Sequence, residues 1–204
     1  MAKTTKKSAD YQWYFADYDE KLRYGDARKI KVGITHKVKC EPRMCEQGLH
    51  ASPTVCDALS YAPGPILFRV RLGGTIIKQD DKWCATERTY LERLDANALI
   101  HEWGRKCALK VIKLWDCPRV VQDYLESGDE SLKSAAESAA WSAAWSAVWS
   151  AAESAAWSAA WSAASNAAWS AAESAARSAA ESAQNQLLTD MVEAALKNQR
   201  RKAK

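Results

Sequence analysis

Glycine and proline are absent from Asp129 to Lys204, although the chain carries eight glycines and five prolines. That absence removes the residues that tight turns and chain reversals require, so this last third contains no legible break. A β-solenoid is excluded there as well, because Ala is depleted in strands and solenoid corners need turn residues. The opening Met-Ala-Lys-Thr-Thr-Lys-Lys-Ser lacks an apolar core, so no leader is expected. The six cysteines are then expected to be reduced thiols in a cytoplasmic setting. No Gly-rich phosphate loop, Ser-His-Asp set or carboxylate pair at a defined spacing is present. Cys40, Cys45 and His50 stand at a C-x4-C-x4-H spacing, but the missing fourth ligand disfavours structural zinc.

What fills the last third is one phrase, Ser-Ala-Ala-X, repeated twelve times from Ser134 to Glu181. Six of the ten tryptophans sit at X: Trp141, Trp145, Trp149, Trp157, Trp161 and Trp169. Ala is the best helix former, and Ser127-Gly128-Asp129-Glu130 supplies a start signal with acidic residues in the first turn. A helix from about Asp129 to Lys197 would be roughly 100 Å long at ~1.5 Å per residue. Each tetrad advances about 400°, so the X position drifts about 40° per repeat and the tryptophans spiral around the rod. A heptad seam is excluded, because it needs a period near 3.5. A helix apolar on many sides needs several neighbours, and copies of itself are the expected ones. The charge-free stretch Ser154–Ala172 is close to bilayer length, but Ala and Ser make it only mildly apolar, so a membrane span is the weaker reading.

Charge is uneven. Residues 1–127 carry about +5, residues 128–181 about −4 and residues 182–204 about +3, within a total of +4. The basic ends (Lys3, Lys6 and Lys7; Lys197, Arg200, Arg201, Lys202 and Lys204) suit nucleic acid or an acidic protein, but short basic termini read first as solubilising tails.

In the remaining part, Tyr11–Phe15 reads as an aromatic first strand. Lys29-Ile-Lys-Val-Gly-Ile34 alternates charged and apolar residues, which predicts a half-buried strand. Cys40 to His50 reads as a loop broken by Pro42 and Gly48, and Pro53 opens a short helix from Thr54 to Tyr61. Ile66–Leu72 is the strongest strand, turned by Gly73-Gly74 into Thr75-Ile-Ile77. Asp80-Asp81 marks a turn, and Trp83 to Tyr90 reads as strand or strand plus loop. Asp95 is expected to cap a helix through Leu109, and Pro118 to open another through Leu125. The sum is an α+β class: a small mixed or antiparallel sheet followed by a long Ala/Ser/Trp helix. The expected divisions are a basic N-terminus at 1–10, the sheet module at 11–127, the repeat rod at 128–197 and a basic tail at 198–204.

Gly48-Leu-His-Ala-Ser52, a helix bearing Tyr61, and Ile66-Leu-Phe-Arg-Val-Arg-Leu-Gly73 together resemble the middle of the poly-ADP-ribose-polymerase type of ADP-ribosyltransferase fold. In that family a strand aromatic and a second Tyr eleven residues later frame nicotinamide, and here His50 and Tyr61 stand eleven apart. The resemblance covers residues 48–73 and implies NAD as cofactor, Gly48, His50 and Tyr61 as its binding residues, and His50 with a late Glu as catalytic pair. Glu87 is the first candidate for that Glu and Glu92 the second. Phe15-Ala16-Asp17 occupies the place of the family's first catalytic residue, and His50 replaces a Tyr. Read from residue type alone, His50 is a structural hydrogen-bonder, Tyr61 a core residue, and Glu87 and Glu92 surface partners of Arg88 and Arg93.

Over its whole length the chain resembles phage and prophage proteins carrying Cys-Glu-x-Gly-(Leu/Phe)-His, Ala-Leu-x-Tyr-Ala-Pro-Gly-Pro and an Ala/Trp-rich tail. The matching residues are Cys45–His50, Ala58–Pro65 and the tetrads. The resemblance implies an accessory protein of a mobile element, in a host cytoplasm or associated with a virion. The expected arrangement is an ADP-ribosyltransferase-like ligand-binding module on a self-associating rod. An active NAD-dependent transferase acting on a host target, and a structural component with an inert head, are the alternatives.

Overall fold

The computed structural model describes residues 11–114, 116–143 and 166–203. Five strands form one antiparallel sheet: β1 (Gln12–Ala16), β2 (Thr35–Lys37), β3 (Leu49–Ala51), β4 (Ile66–Lys78) and β5 (Trp83–Asp95). Their order is β1-β4-β5-β2, and β3 also pairs with β5. The helices are α1 (Val55–Leu59), α2 (Asn97–Val111), α3 (Arg119–Ser127), α4 (133–143) and α5 (Asn166–Lys202). The fold is α+β, with an antiparallel sheet and a long C-terminal helix.

The long β4–β5 hairpin is the frame. Its apolar stretch Ile66-Leu-Phe-Arg-Val-Arg-Leu packs on both sides, because Ile66, Leu67, Phe68 and Val70 are all buried. One core gathers Ala16, Phe68, Val70, Leu72, Leu49, Ala51 and Tyr90. β1 supplies Trp13 opposite Arg69 and Tyr14 opposite Phe68, so cross-strand pairs share faces as an antiparallel register requires.

Two expectations are corrected. Gly73-Gly74 makes no chain reversal: β4 continues through it, and the register slips between Gly73 and Ile76. Gly74 has φ +68°, and a Cβ there would lie 2.0 Å from Thr86 Oγ1, so the glycines make a bulge that lets β4 pass Thr86. The reversal comes later, around Asp80-Asp81, where Gln79 N–H donates to the Lys82 carbonyl at 2.9 Å. The second correction concerns Lys29–Ile34, which is no strand. Gly33 at φ +86° breaks its alternation, Val32 and Ile34 are exposed, and β2 begins only at Thr35.

The chain divides into two compact units, one of Met1–Ile100 with Asn185–Lys204 and one of His101–Gln184. In the first, the C-terminal turns of α5 bury Leu188, Val192 and Leu196, spaced four apart on one stripe. Glu193 and Arg200 on those turns pair with Arg69 and Glu92 of the hairpin. In the second, Trp103 Nε1–H donates to the Gln184 carbonyl at 3.0 Å, and Ala136 of α4 is buried. α3 follows Pro118 and ends on Gly128 at φ +68°, whose N–H returns to the Tyr124 carbonyl. Trp141 and Glu137 of the repeat are exposed. Trp145, Trp149, Trp157, Trp161 and the basic Lys3, Lys6 and Lys7 lie outside the described residues. Among the described residues no helix is long and apolar enough to cross a membrane.

Candidate functional site

β3 is brought against β5 by a glycine. Gly48 has φ +115°, and a Cβ on it would sit 2.4 Å from Cys84 Sγ and 3.3 Å from the Ala85 carbonyl oxygen. Leu49 and Ala51 are buried on either side of His50, which pairs opposite Cys84. The His50 Nε2 accepts from the Cys45 N–H at 3.2 Å, and its carbonyl accepts from Arg88 Nη1. Burial lowers the His50 pKa from the usual imidazole value, and the cations Lys82 and Arg88 push the same way. These causes favour the neutral ring over the imidazolium.

Tyr61 arrives from α1. Thr54 caps that helix by accepting from Asp57 N–H at 3.1 Å, while its hydroxyl donates to Asp57 Oδ2 at 2.5 Å. The helix stops at Leu59, and Tyr61 follows in the turn, 48% exposed. Its hydroxyl donates to Asp81 Oδ2 at 2.5 Å, a bond that raises the phenol pKa. Lys82 Nζ lies 3.5 Å above the Tyr61 ring centroid and 3.6 Å from Cys45 Sγ. Gly48, His50 and Tyr61 are thus joined through Cys45 and Lys82 into one surface region at the β4–β5 hairpin end.

The acids fall elsewhere. Glu87 lies three residues along β5 from Cys84, the partner of His50, and that odd offset turns its side chain to the opposite sheet face. It pairs with Lys37 Nζ at 2.7 Å. Glu92 pairs with Arg69 at 2.8 Å and with Arg200. Both acids are ion-paired, though with none of the partners their sequence neighbours suggested: Arg93 takes Glu20 instead, at 2.7 Å. Arg88 is 2% exposed and meets no carboxylate among the described residues. Its Nε and Nη2 donate to the Tyr90 hydroxyl at 3.0 and 2.8 Å, and its guanidinium stacks 3.6 Å from the Tyr14 ring centroid.

Sequence reasoning missed Lys82, read Asp81 only as part of a turn, and weighed Cys45 as a metal ligand and as the start of a motif. Cys45 did carry a signal in its position beside Gly48-Leu-His50; Lys82 had none, since its role depends on where the hairpin turns. Among the described residues no group of three or more His, Cys, Asp or Glu side chains is arranged to hold a metal ion. No curated protein and no solved structure matches the chain. Residues 18–102, which run from the end of β1 through β5 into α2, are similar to a family described as a domain of unknown function (DUF7666).

Proposed function

We propose that the chain is a phage or prophage accessory protein whose sheet unit binds NAD or a related dinucleotide without efficient turnover, and whose repeat helix joins copies of the chain. One observation carries the binding reading: Tyr61, with Lys82 over its ring, comes to the same surface region as Gly48 and His50. An aromatic face for a nicotinamide or adenine ring beside an ammonium for a pyrophosphate is the chemistry such a ligand asks for. Binding is favoured over transfer because Glu87 faces away from His50 and is neutralised by Lys37, while Glu92 is held by Arg69 and Arg200. Neither glutamate is then free to stabilise an oxocarbenium-like centre beside His50, and the nearby Asp81 carboxylate is taken up by the Tyr61 hydroxyl. The mobile-element setting rests on the Cys45–His50 and Ala58–Pro65 motifs with the tetrad tail, and self-association on the spiralling tryptophans.

Calorimetric titration of the full chain with NAD, run beside a labelled-NAD transfer assay, tests this. Binding that Tyr61→Ala abolishes, with no label transferred, is the expected result. No NAD binding would remove the ligand reading, and label transfer lost in Glu87→Gln would replace it with an active transferase. Sedimentation of the full chain over a concentration series tests the rod, and a monomer throughout would remove that part.

A further inference from the structure

The segment joining β1 to β2 is an ordered ribbon with a strained tip. Lys21 and Lys29 form an antiparallel bridge, Leu22 N–H donates to the Arg28 carbonyl at 3.0 Å, and Ile30 N–H donates to the Glu20 carbonyl at 2.7 Å. Leu22 and Ile30 are buried in the main core, so the ribbon is anchored at its base. Its tip is Arg23-Tyr24-Gly25-Asp26, closed by Asp26 N–H to the Arg23 carbonyl at 3.4 Å. Tyr24 and Gly25 both have positive φ, +60° and +82°, the pattern of a type I′ turn.

Tyr is the wrong residue for folding there. The first central position of such a turn favours Asn, Asp or Gly, and a bulky side chain at positive φ costs stability. Nothing in the fold offsets that cost, because Tyr24 is fully exposed at 101%. A fully exposed aromatic at a strained backbone position points to a binding role.

The charges indicate the partner. Three acids of the ribbon and its base are ion-paired, Asp19 with Lys21, Glu20 with Arg93 and Asp26 with Arg28, while Asp17 accepts only the Tyr18 N–H and keeps its charge. Arg23 and Lys31 make no ion pair among the described residues, so the surface is left cationic, and Tyr18 is a second exposed ring at its base. The partner is therefore anionic. A four-residue tip cannot supply the roughly 800 Å² per side that a stable protein interface buries. It can stack one base and meet one phosphate.

We propose that the Arg23–Tyr24 tip is a recognition finger for single-stranded nucleic acid, with the Tyr24 ring stacked on a base and Arg23 on the adjoining phosphate. The site is separate from the region around His50 and Tyr61 and does not depend on what binds there.

Fluorescence anisotropy of a fluorescein-labelled oligothymidylate titrated with the full chain tests this. Saturable binding is expected, weakened about tenfold or more by Tyr24→Ala and kept by Tyr24→Trp. Arg23→Ala should lower the slope of log affinity against log salt by about 0.7. Tyr24→Asn separates stacking from turn formation: Asn tolerates positive φ, so this variant should melt no lower than the parent yet bind as weakly as Tyr24→Ala. No binding, or binding unchanged in Tyr24→Ala or Tyr24→Asn, overturns the proposal. So does displacement of the oligonucleotide by polyglutamate with the same dependence on Tyr24, which would assign the finger to an acidic protein whose footprint could extend over Val32 and Ile34.

Discussion

Arg69 on β4 and Glu193 on α5 form an ion pair across 124 residues of chain. The Arg69 guanidinium lies 4.3 Å from the Tyr11 ring centroid and 5.1 Å from that of Trp13, and it also holds Glu92 at 2.8 Å. Glu193 accepts a second bond from the Tyr11 hydroxyl at 3.1 Å, and Arg200 closes onto Glu92. Two arginines and two glutamates thus alternate over one face of the sheet, where each charge is compensated and Arg69 is largely shielded from water.

Arg69→Ala should be costly because it leaves Glu193 without a cation, leaves Glu92 with Arg200 alone, and removes the guanidinium that packs on the Tyr11 and Trp13 rings. A loss of about 2–4 kcal/mol is expected, read as a lower midpoint in urea denaturation of the full chain. Glu193→Gln keeps the shape and leaves Glu92 on Arg69, and the Glu193 side chain is more than a third exposed, so its cost should stay under about 1 kcal/mol.

The apolar stripe beneath that network should matter as much. Leu188 is completely buried, and Leu188→Ala should cost about 2–4 kcal/mol by opening a cavity. Removing residues 185–204 altogether should leave the sheet face bare, which dye binding to exposed apolar surface would report. A truncated chain that melted like the parent would show that the helix merely rests there.

Gly48→Ala meets two separate penalties, positive φ and collision with Cys84 Sγ. A loss above about 2 kcal/mol is expected. Cys84→Ala removes the collision but not the strain, so the double variant should lose less than the two single losses added together. A double-mutant cycle in urea reads that coupling.

Acid should weaken the fold through two histidines. Burial, with help from Arg28 and Arg88, lowers the pKa of His36, whose Nδ1 lies 3.1 Å from the Tyr90 hydroxyl; His50 is lowered too. Each stays neutral in the folded chain but takes a proton in the unfolded one below about pH 6.5, so the unfolded state binds more protons there. Stability should be flat above that pH as far as these residues are concerned, and fall as pH drops from about 6.5 towards their folded values. Thermal melts from pH 7.5 to 5 should show that slope, reduced in His36→Gln and more so in the variant lacking both imidazoles.

Much of the frame was legible because local chemistry agreed with the final packing. Ile66–Leu72 reads as a strand from its β-branched and aromatic run, Thr54 and Asp95 mark helix starts, and the Ala-rich third is helical wherever it is described. Gly73-Gly74 misled because a glycine pair serves a bulge as well as a turn, and only the partner strand, through Thr86, decides which. Lys29–Ile34 misled because alternation says nothing when Gly33 can reverse the backbone. Of the candidate site, His50 and Tyr61 were singled out by the resemblance and its eleven-residue spacing. Glu87 was chosen on its position in the chain, and the face it occupies depends on the register of β3 against β5, which no local signal encodes.

The discontinuity of the sheet unit also sets a timetable. Strands β1 to β5 leave the ribosome before the turns of α5 that complete their unit, and the 84 residues His101–Gln184 must be made in between. At roughly 5–20 residues per second, that is an interval of about 4–17 seconds. Throughout it Arg69 and Glu92 have each other but neither Glu193 nor Arg200, and Trp13 lies next to a face with no cover. Slowing translation within the repeat would lengthen that exposure without changing a single contact of the finished protein.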